Sequence, residues 1–279
     1  MREFTDLSKL EPSRSLKFLY RNKIGRGLLK VLITKPVSCV VGAFLSTPLS
    51  KPMIKGFIKR NNIDMSQFEK QNFSCYNDFF IRKIREEKRP VCFDKNALIS
   101  PCDSRVLAYK IDKNLNFNIK NGTFSLETLL DDKNLAKEFE GGFLLVFRLC
   151  VDDYHRYCYF DFGEILENKF IKSKLHTVQP IALEKDNYFK ENSREITVVK
   201  TENFGKAVIV EIGAMMVGKI VNHKKQGEFK KGEEKGYFKF GGSTVAIVLK
   251  NAKIDEEIIL NSQKNFETRV RYGEKIGEK

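Results

Sequence analysis

Apolar residues run unbroken from Val245 to Leu249, and β-branched side chains dominate the run. A strand exposed on one face would alternate, so this pattern predicts a strand covered on both faces. Two glycines and two hydroxyl residues, Gly241-Gly242-Ser243-Thr244, lead into it. A glycine pair takes backbone angles closed to other residues and lets a second group approach closely. A serine placed after such a pair, at the mouth of a rigid strand, has a hydroxyl able to reach the preceding carbonyl.

Further short runs predict strands at 97–99, 105–111, 142–151, 195–200, 206–213 and 244–249, broken by Gly, Asn and Asp. Between 63 and 89 the pattern suits helices. Asp64 and Ser66 are candidate N-caps, Phe79, Phe80, Ile81 and Ile84 supply an apolar face, and Pro90 stops it. Short helices at 126–130 and 134–138 interrupt the strands. The predicted class is α+β, a β-rich body with helices gathered at the amino terminus. No GxGxxG motif follows a strand, and the chain has no P-loop and no internal repeat.

Charge divides the chain into a segment at 1–62 and a body at 63–279. Between Ser13 and Arg60 there are eleven Lys or Arg residues and no Asp or Glu, whereas the remainder is close to balanced. The net charge of +14 over 279 residues is therefore a local property. Basic residues alternate there with Leu, Phe, Ile and Val, as in helices that lie in a membrane interface. Anionic lipid attracts each nearby Lys or Arg by about 1 kcal/mol.

The apolar stretch at 28–45 is broken by Lys30, Lys35 and Pro36. Its uninterrupted part, 37–45, is too short to cross about 30 Å of hydrocarbon, and it lies too far from the start for a signal peptide. Pro48 and Pro52 mark the end of the segment, and 53–60 predicts one more short amphipathic helix. Nucleic acid is the other polyanion to weigh, but no zinc finger, RNP-like motif or helix-turn-helix is present. The expectation is peripheral attachment to the cytoplasmic, anionic face of the cell membrane, with no nucleic-acid partner. Six cysteines without a CxxC pair, and only three histidines, argue against structural zinc and a disulfide framework. No metal is expected.

Three turns in the body carry residues able to do chemistry. They are Ser100-Pro101-Cys102-Asp103-Ser104-Arg105, Val151-Asp152-Asp153-Tyr154-His155-Arg156-Tyr157-Cys158, and the glycine turn before Ser243. Histidine passes protons at neutral pH better than any other side chain. An acid, a histidine and a serine in separate strand-end loops (Asp103, His155 and Ser243) have the composition of a Ser-His-Asp relay, which is defined by geometry and not by order.

Taken together, the motifs resemble the phosphatidylserine decarboxylases, pyruvoyl-dependent enzymes made as self-cleaving proenzymes. The resemblance covers about residues 73–249. It includes Asn77-Asp78-Phe79-Phe80-Ile81-Arg82, Lys88-Arg89-Pro90, Ser100-Pro101-Cys102-Asp103, Phe147-Arg148-Leu149 and Asp153-Tyr154-His155-Arg156. It continues through Leu175-His176-Thr177-Val178-Gln179-Pro180, Asn192-Ser193-Arg194 and Glu211-Ile212-Gly213-Ala214-Met215-Met216-Val217-Gly218. The run Lys231-Gly232-Glu233-Glu234-Lys235-Gly236-Tyr237-Phe238 then leads into Gly241-Gly242-Ser243-Thr244.

The resemblance implies that Ser243 attacks the carbonyl of Gly242 and that the chain splits between them, into a large β chain (1–242) and a small α chain (243–279). Ser243 would become a pyruvoyl group, the only cofactor, whose ketone forms a Schiff base with the substrate amine and takes up electrons as CO2 leaves. Phosphatidylserine would become phosphatidylethanolamine. The relay acid falls on Asp103 and the nucleophile on Ser243.

The histidine departs from the family pattern. Members carry two in a DYHRxH motif, whereas here the first is His155 and the second position is Cys158. An unperturbed thiol, with a pKa near ~8.5, is the poorer base. His155, Cys158 and His176 stay open as the base for self-cleavage, with His155 favoured. Gly241 stands where many members have Leu or Val, and Ser104 where Gly is usual. Two other functions fit the same scaffold: a non-catalytic membrane-surface module, and a pyruvoyl decarboxylase of a soluble amino acid. A homo-oligomer is compatible with the sequence.

Overall fold

Among the described residues, nine antiparallel strands form the main sheet. Their spatial order is Phe4–Asp6, Phe266–Val270, Ser104–Lys110, Phe143–Leu149, Ser243–Leu249, Gly205–Ile212, Arg194–Thr201, Gly163–Ile171 and Gly227–Phe229. The computed structural model describes residues 2–9, 11, 14–32, 34–119, 122–172, 192–213, 219–239 and 243–279. The chain is an α+β protein, as its patterning predicts.

The unbroken apolar run before Lys250 is explained by its place. Ser243–Leu249 is the fifth strand of nine and is buried along its whole length. Val245, Ile247 and Leu249 join a core with Phe147, Ile209, Tyr157 and Phe238 on one face. Ala246 and Val248 join a second core with Leu144, Val146 and Val210 on the other. The helices Leu126–Leu130 and Lys133–Glu138 close that second face through Leu126, Leu129, Leu130 and Ala136. Burying each large aliphatic side chain contributes roughly 1.5–3 kcal/mol, so both faces of this strand add to its hold on the sheet. The first face is covered by a three-stranded sheet, Ile220–Asn222, Glu234–Phe238 and Arg156–Cys158.

Residues 63–89 depart from the helical expectation. They form 3-10 turns at Met65–Gln67 and Glu86–Lys88 and a single short helix, Tyr76–Phe80. Asp64 does cap, accepting the Ser66 amide at 3.0 Å, but Ser66 does not. Phe68 instead pairs with Ile84 in an isolated antiparallel bridge, so contacts distant in sequence override local helical preference.

The basic segment is helical at Arg14–Arg21, Lys23–Leu32, Lys35–Leu45 and Pro52–Arg60. Leu45 and Ile54 pack on Phe73, Tyr76, Phe79 and Phe80. The Asn77 side-chain amide donates to the Gly42 carbonyl at 3.1 Å and to Ser46 Oγ at 2.8 Å, fixing this helical layer on the body. On its outer side Ile24, Val40 and Leu49 are 78%, 70% and 77% exposed, and Phe18, Leu28, Val31, Phe44 and Met53 are also exposed. Among the described residues no single helix is long and apolar enough to cross a membrane. The pair Lys23–Leu32 and Pro36–Leu45 meets length and composition only when joined, across a 69° bend.

Candidate active site

Ser243 opens the central strand and pairs with Leu149. Its side chain is 0% exposed, and Oγ has no hydrogen-bond partner among the described residues. An orphaned hydroxyl in a buried position forgoes about 1–3 kcal/mol. Such a cost is tolerated where a group has chemical work to do. Gly242, the other side of the expected scissile bond, lies outside the described residues, as does His176.

The strand register brings the other two candidates to the same end of the sheet. Arg148 pairs with Thr244 on one side and with Arg105 on the other. Asp103, two residues before Arg105, therefore lies near the level of Ser243, two strand spacings away, or about 10 Å. Between them the strand Phe143–Leu149 ends and the turn carrying His155 begins.

His155 is 1% exposed, and its ring lies against that of Phe80, with centroids 4.2 Å apart. Nδ1 is 2.9 Å from the carbonyl oxygen of Asp153. A carbonyl only accepts, so Nδ1 carries a proton, and in the neutral ring Nε2 is the basic nitrogen. That is the tautomer a general base needs. The His155 carbonyl in turn accepts the Phe238 amide at 3.0 Å, which ties this loop to the segment leading into Ser243.

Asp103 has other partners. Arg89 Nε lies 2.8 Å from Oδ1, Arg89 Nη2 lies 2.5 Å from Oδ2, and the Tyr272 amide donates to Oδ1 at 2.9 Å. A bidentate guanidinium and a backbone amide hold this carboxylate in place. The group seen orienting His155 is thus the Asp153 carbonyl. Asp103 sits in the same corner, bound to Arg89.

Cys158 is fully buried, and burial pushes its thiol up to about 12. Sγ lies 3.9 Å from the Ser100 carbonyl oxygen. A thiol so far from ionising at neutral pH is not a useful base.

Sequence reasoning assigned no role to several residues of this corner. Asp153 accepts the Cys150 amide at 2.7 Å and Arg105 Nη1 at 3.1 Å, and burial raises its pKa to about 6 against the pull of Arg105. Behind it, Arg148 and Glu267 form a buried bidentate pair, with Nε to Oε1 at 2.7 Å.

On the Ser243 face of the sheet, Lys235 Nζ stands 2.9 Å from Glu211 Oε1, both side chains fully buried and not aligned for a hydrogen bond. Glu211 also accepts Asn222 Nδ2 at 3.0 Å. Glu211 pairs with Val245, so it is a near neighbour of Ser243 across the ladder. Arg89, Glu211 and Lys235 fall within the recognised motifs, but nothing in the sequence said that they would pair. Tyr272 and Glu267 gave no signal. Arg89, Tyr272, Tyr154, Lys231 and Glu234 border an open cleft of about 740 Å³ next to Asp103.

Comparison with known proteins identifies the family. The profile of the family described as phosphatidylserine decarboxylase matches residues 76–278. A phosphatidylserine decarboxylase proenzyme 2 from Clostridium acetobutylicum is 47% identical over 266 residues, covering 94% of this chain and 91% of that protein. A phosphatidylserine decarboxylase proenzyme from Clostridium botulinum is 43% identical over 286 residues, covering 98% and 96%. One from Ruminiclostridium cellulolyticum is 40% identical over 280 residues, covering 98% and 93%. The chain belongs to the phosphatidylserine decarboxylase family.

Proposed function

We propose that the protein converts phosphatidylserine to phosphatidylethanolamine and CO2 at a membrane surface, after cutting itself between Gly242 and Ser243. The observation that carries this reading is the buried, unpartnered Ser243 hydroxyl at the start of the central strand, directly after the two glycines. His155 Nε2 takes the hydroxyl proton, Oγ attacks the Gly242 carbonyl, and the Gly242–Ser243 peptide becomes an ester. Elimination across Cα–Cβ of residue 243 then releases the 1–242 chain with a free carboxylate. The dehydroalanine so formed tautomerises to an imine, and one water hydrolyses that imine, supplying the ketone oxygen of the pyruvoyl group and releasing ammonia.

Ser243 fits that origin: its backbone is fixed by pairing with Leu149, and among the described residues its oxygen has no competing bond. Once formed, the group supplies a ketone that draws off the electrons of the departing carboxylate. The chain's own residues shield the reacting atoms from bulk solvent, since both Ser243 and His155 are buried. Asp103, held by Arg89, lies in the same corner as His155. Lys83, Arg89, Lys230 and Glu233 give the adjoining cleft both signs of charge, as a zwitterionic headgroup requires.

The basic helices with their exposed apolar side chains would rest on an anionic leaflet, the cytoplasmic face of the cell membrane. The decisive assay incubates the protein with phosphatidylserine vesicles and follows CO2 and phosphatidylethanolamine. Wild type should produce both, and Ser243→Ala neither. Binding to vesicles without release of CO2 would favour a non-catalytic surface module, and CO2 from free serine would favour a soluble substrate.

A further inference from the structure

Residues 2–7 close the outer edge of the main sheet, and the partners of Arg2, Glu3 and Phe4 all lie between residues 255 and 275. The Arg2 guanidinium reaches Glu274 Oε1 at 2.6 Å, Asp255 Oδ2 at 2.8 Å and the Lys275 carbonyl at 2.7 Å. Its backbone amide donates to Glu257 Oε1 at 3.0 Å. Glu3 accepts Arg269 Nη1 at 2.9 Å, and its carbonyl accepts the Arg269 amide at 2.8 Å. Phe4 pairs with Thr268 and stacks on Phe266, with centroids 5.3 Å apart and rings 8° from parallel. The Leu7 amide donates to the Asn265 carbonyl at 3.2 Å.

Every one of these partners lies on the carboxy-terminal side of Ser243. Under the cleavage reading above, on which this inference rests, they belong to the small chain, residues 243–279. That chain holds the central strand, the helix Glu256–Gln263 and the strands Phe266–Val270 and Lys275–Glu278. Its outer strand is paired on one side by Ser104–Lys110 and on the other by Phe4–Asp6. The first basic helix begins at Arg14, a few residues beyond the clasped strand.

We propose that residues 2–7 are a clasp, with Arg2 as its pin, that holds the small chain after processing and ties it to the membrane-docking helices. Three carboxylates, Asp255, Glu257 and Glu274, converge on one guanidinium that is 20% exposed. Without Arg2 they would repel one another, so the clasp is specified by charge as well as by strand pairing.

The test uses the processed full-length protein. Intact masses of wild type, Arg2→Ala, Glu274→Gln and the double variant establish first that each is in two pieces. A chain still in one piece would overturn the cleavage reading and the clasp with it. The cleaved proteins are then held in sub-denaturing urea with phosphatidylcholine/phosphatidylglycerol vesicles and sedimented. In wild type the 243–279 chain should pellet with the large chain. In Arg2→Ala it should appear in the supernatant about tenfold faster. Glu274→Gln should hasten release when Arg2 is present and not when Arg2 is absent, which a general loss of stability would not reproduce. Cleaved variants that keep the small chain on the vesicles as wild type does would overturn the clasp while leaving the proposed function standing.

Discussion

Asp153→Asn should raise stability at neutral pH and leave it nearly unchanged in acid. Burial lifts the Asp153 carboxyl from 3.8 to about 6, opposed by Arg105 and assisted by the nearby charges of Asp152 and Asp103. Below about pH 4 the group is protonated in both folded and unfolded chains and contributes no difference. Between about pH 4 and 6 the folded protein keeps a proton that the unfolded chain has lost, so stability falls as pH rises. Above that range the whole penalty remains: about 2 units at ~1.4 kcal/mol each, or about 3 kcal/mol.

Asparagine does not titrate, and its Oδ1 can still accept the Cys150 amide. The attraction of Arg105 acts only on the ionised carboxylate and is already contained in the raised pKa, so it adds no separate loss. Urea unfolding should be measured at several pH values between about 4 and 7, in a Ser243→Ala background that keeps the chain in one piece and the transition two-state. The stability difference between variant and parent should grow by about 3 kcal/mol, in favour of the variant, from the acid end to the neutral end. A difference that stays constant with pH, or moves the other way, would refute the reasoning.

Other outcomes follow from the same contacts. Glu267→Ala leaves the Arg148 guanidinium buried without its carboxylate and should cost about 3–5 kcal/mol in urea unfolding. At Gly236 an added Cβ would come within 2.1 Å of the Val221 carbonyl oxygen, a backbone atom that cannot turn away. Gly236→Ala should therefore destabilise by about 1–3 kcal/mol, seen as a lower urea midpoint. Cys158→Ala should cleave at essentially the wild-type rate, because the buried thiol is not ionised. His155→Ala should slow cleavage by about 10²–10⁴-fold, read by gel densitometry of the two fragments over time. If instead Cys158→Ala stops cleavage and His155→Ala does not, the assignment of the base is wrong.

The long strands of the sheet centre were legible because their residues are apolar on both faces. The runs expected at 105–111, 142–151, 195–200, 206–213 and 244–249 all became main-sheet strands, with ends shifted by a residue or two. Edge strands were not legible. Gly163–Ile171 alternates with charged, exposed positions, and Phe4–Asp6 and Gly227–Phe229 have only three residues each, too few to show a period. The helix Glu256–Gln263 was missed as well, its apolar residues being few and flanked by acids and amides.

In the site, Asp103, His155 and Ser243 could be singled out by residue type and motif. Their placement at one end of the sheet depends on register, which local sequence does not set. The ties of Asp103 to Arg89 and of His155 to a main-chain carbonyl are tertiary facts of the same kind. No spacing rule would have joined Arg2 to Glu274.

The measurement that bears most directly on the mechanism is the mass of the purified protein, taken under denaturing conditions beside Ser243→Ala. Wild type should appear as two species, one ending at Gly242 and one of residues 243–279 lighter than its unmodified peptide by the conversion of serine to pyruvoyl. Ser243→Ala should appear as one species. A wild-type protein that releases CO2 from phosphatidylserine and yet weighs the same as the uncut chain would contradict the mechanism.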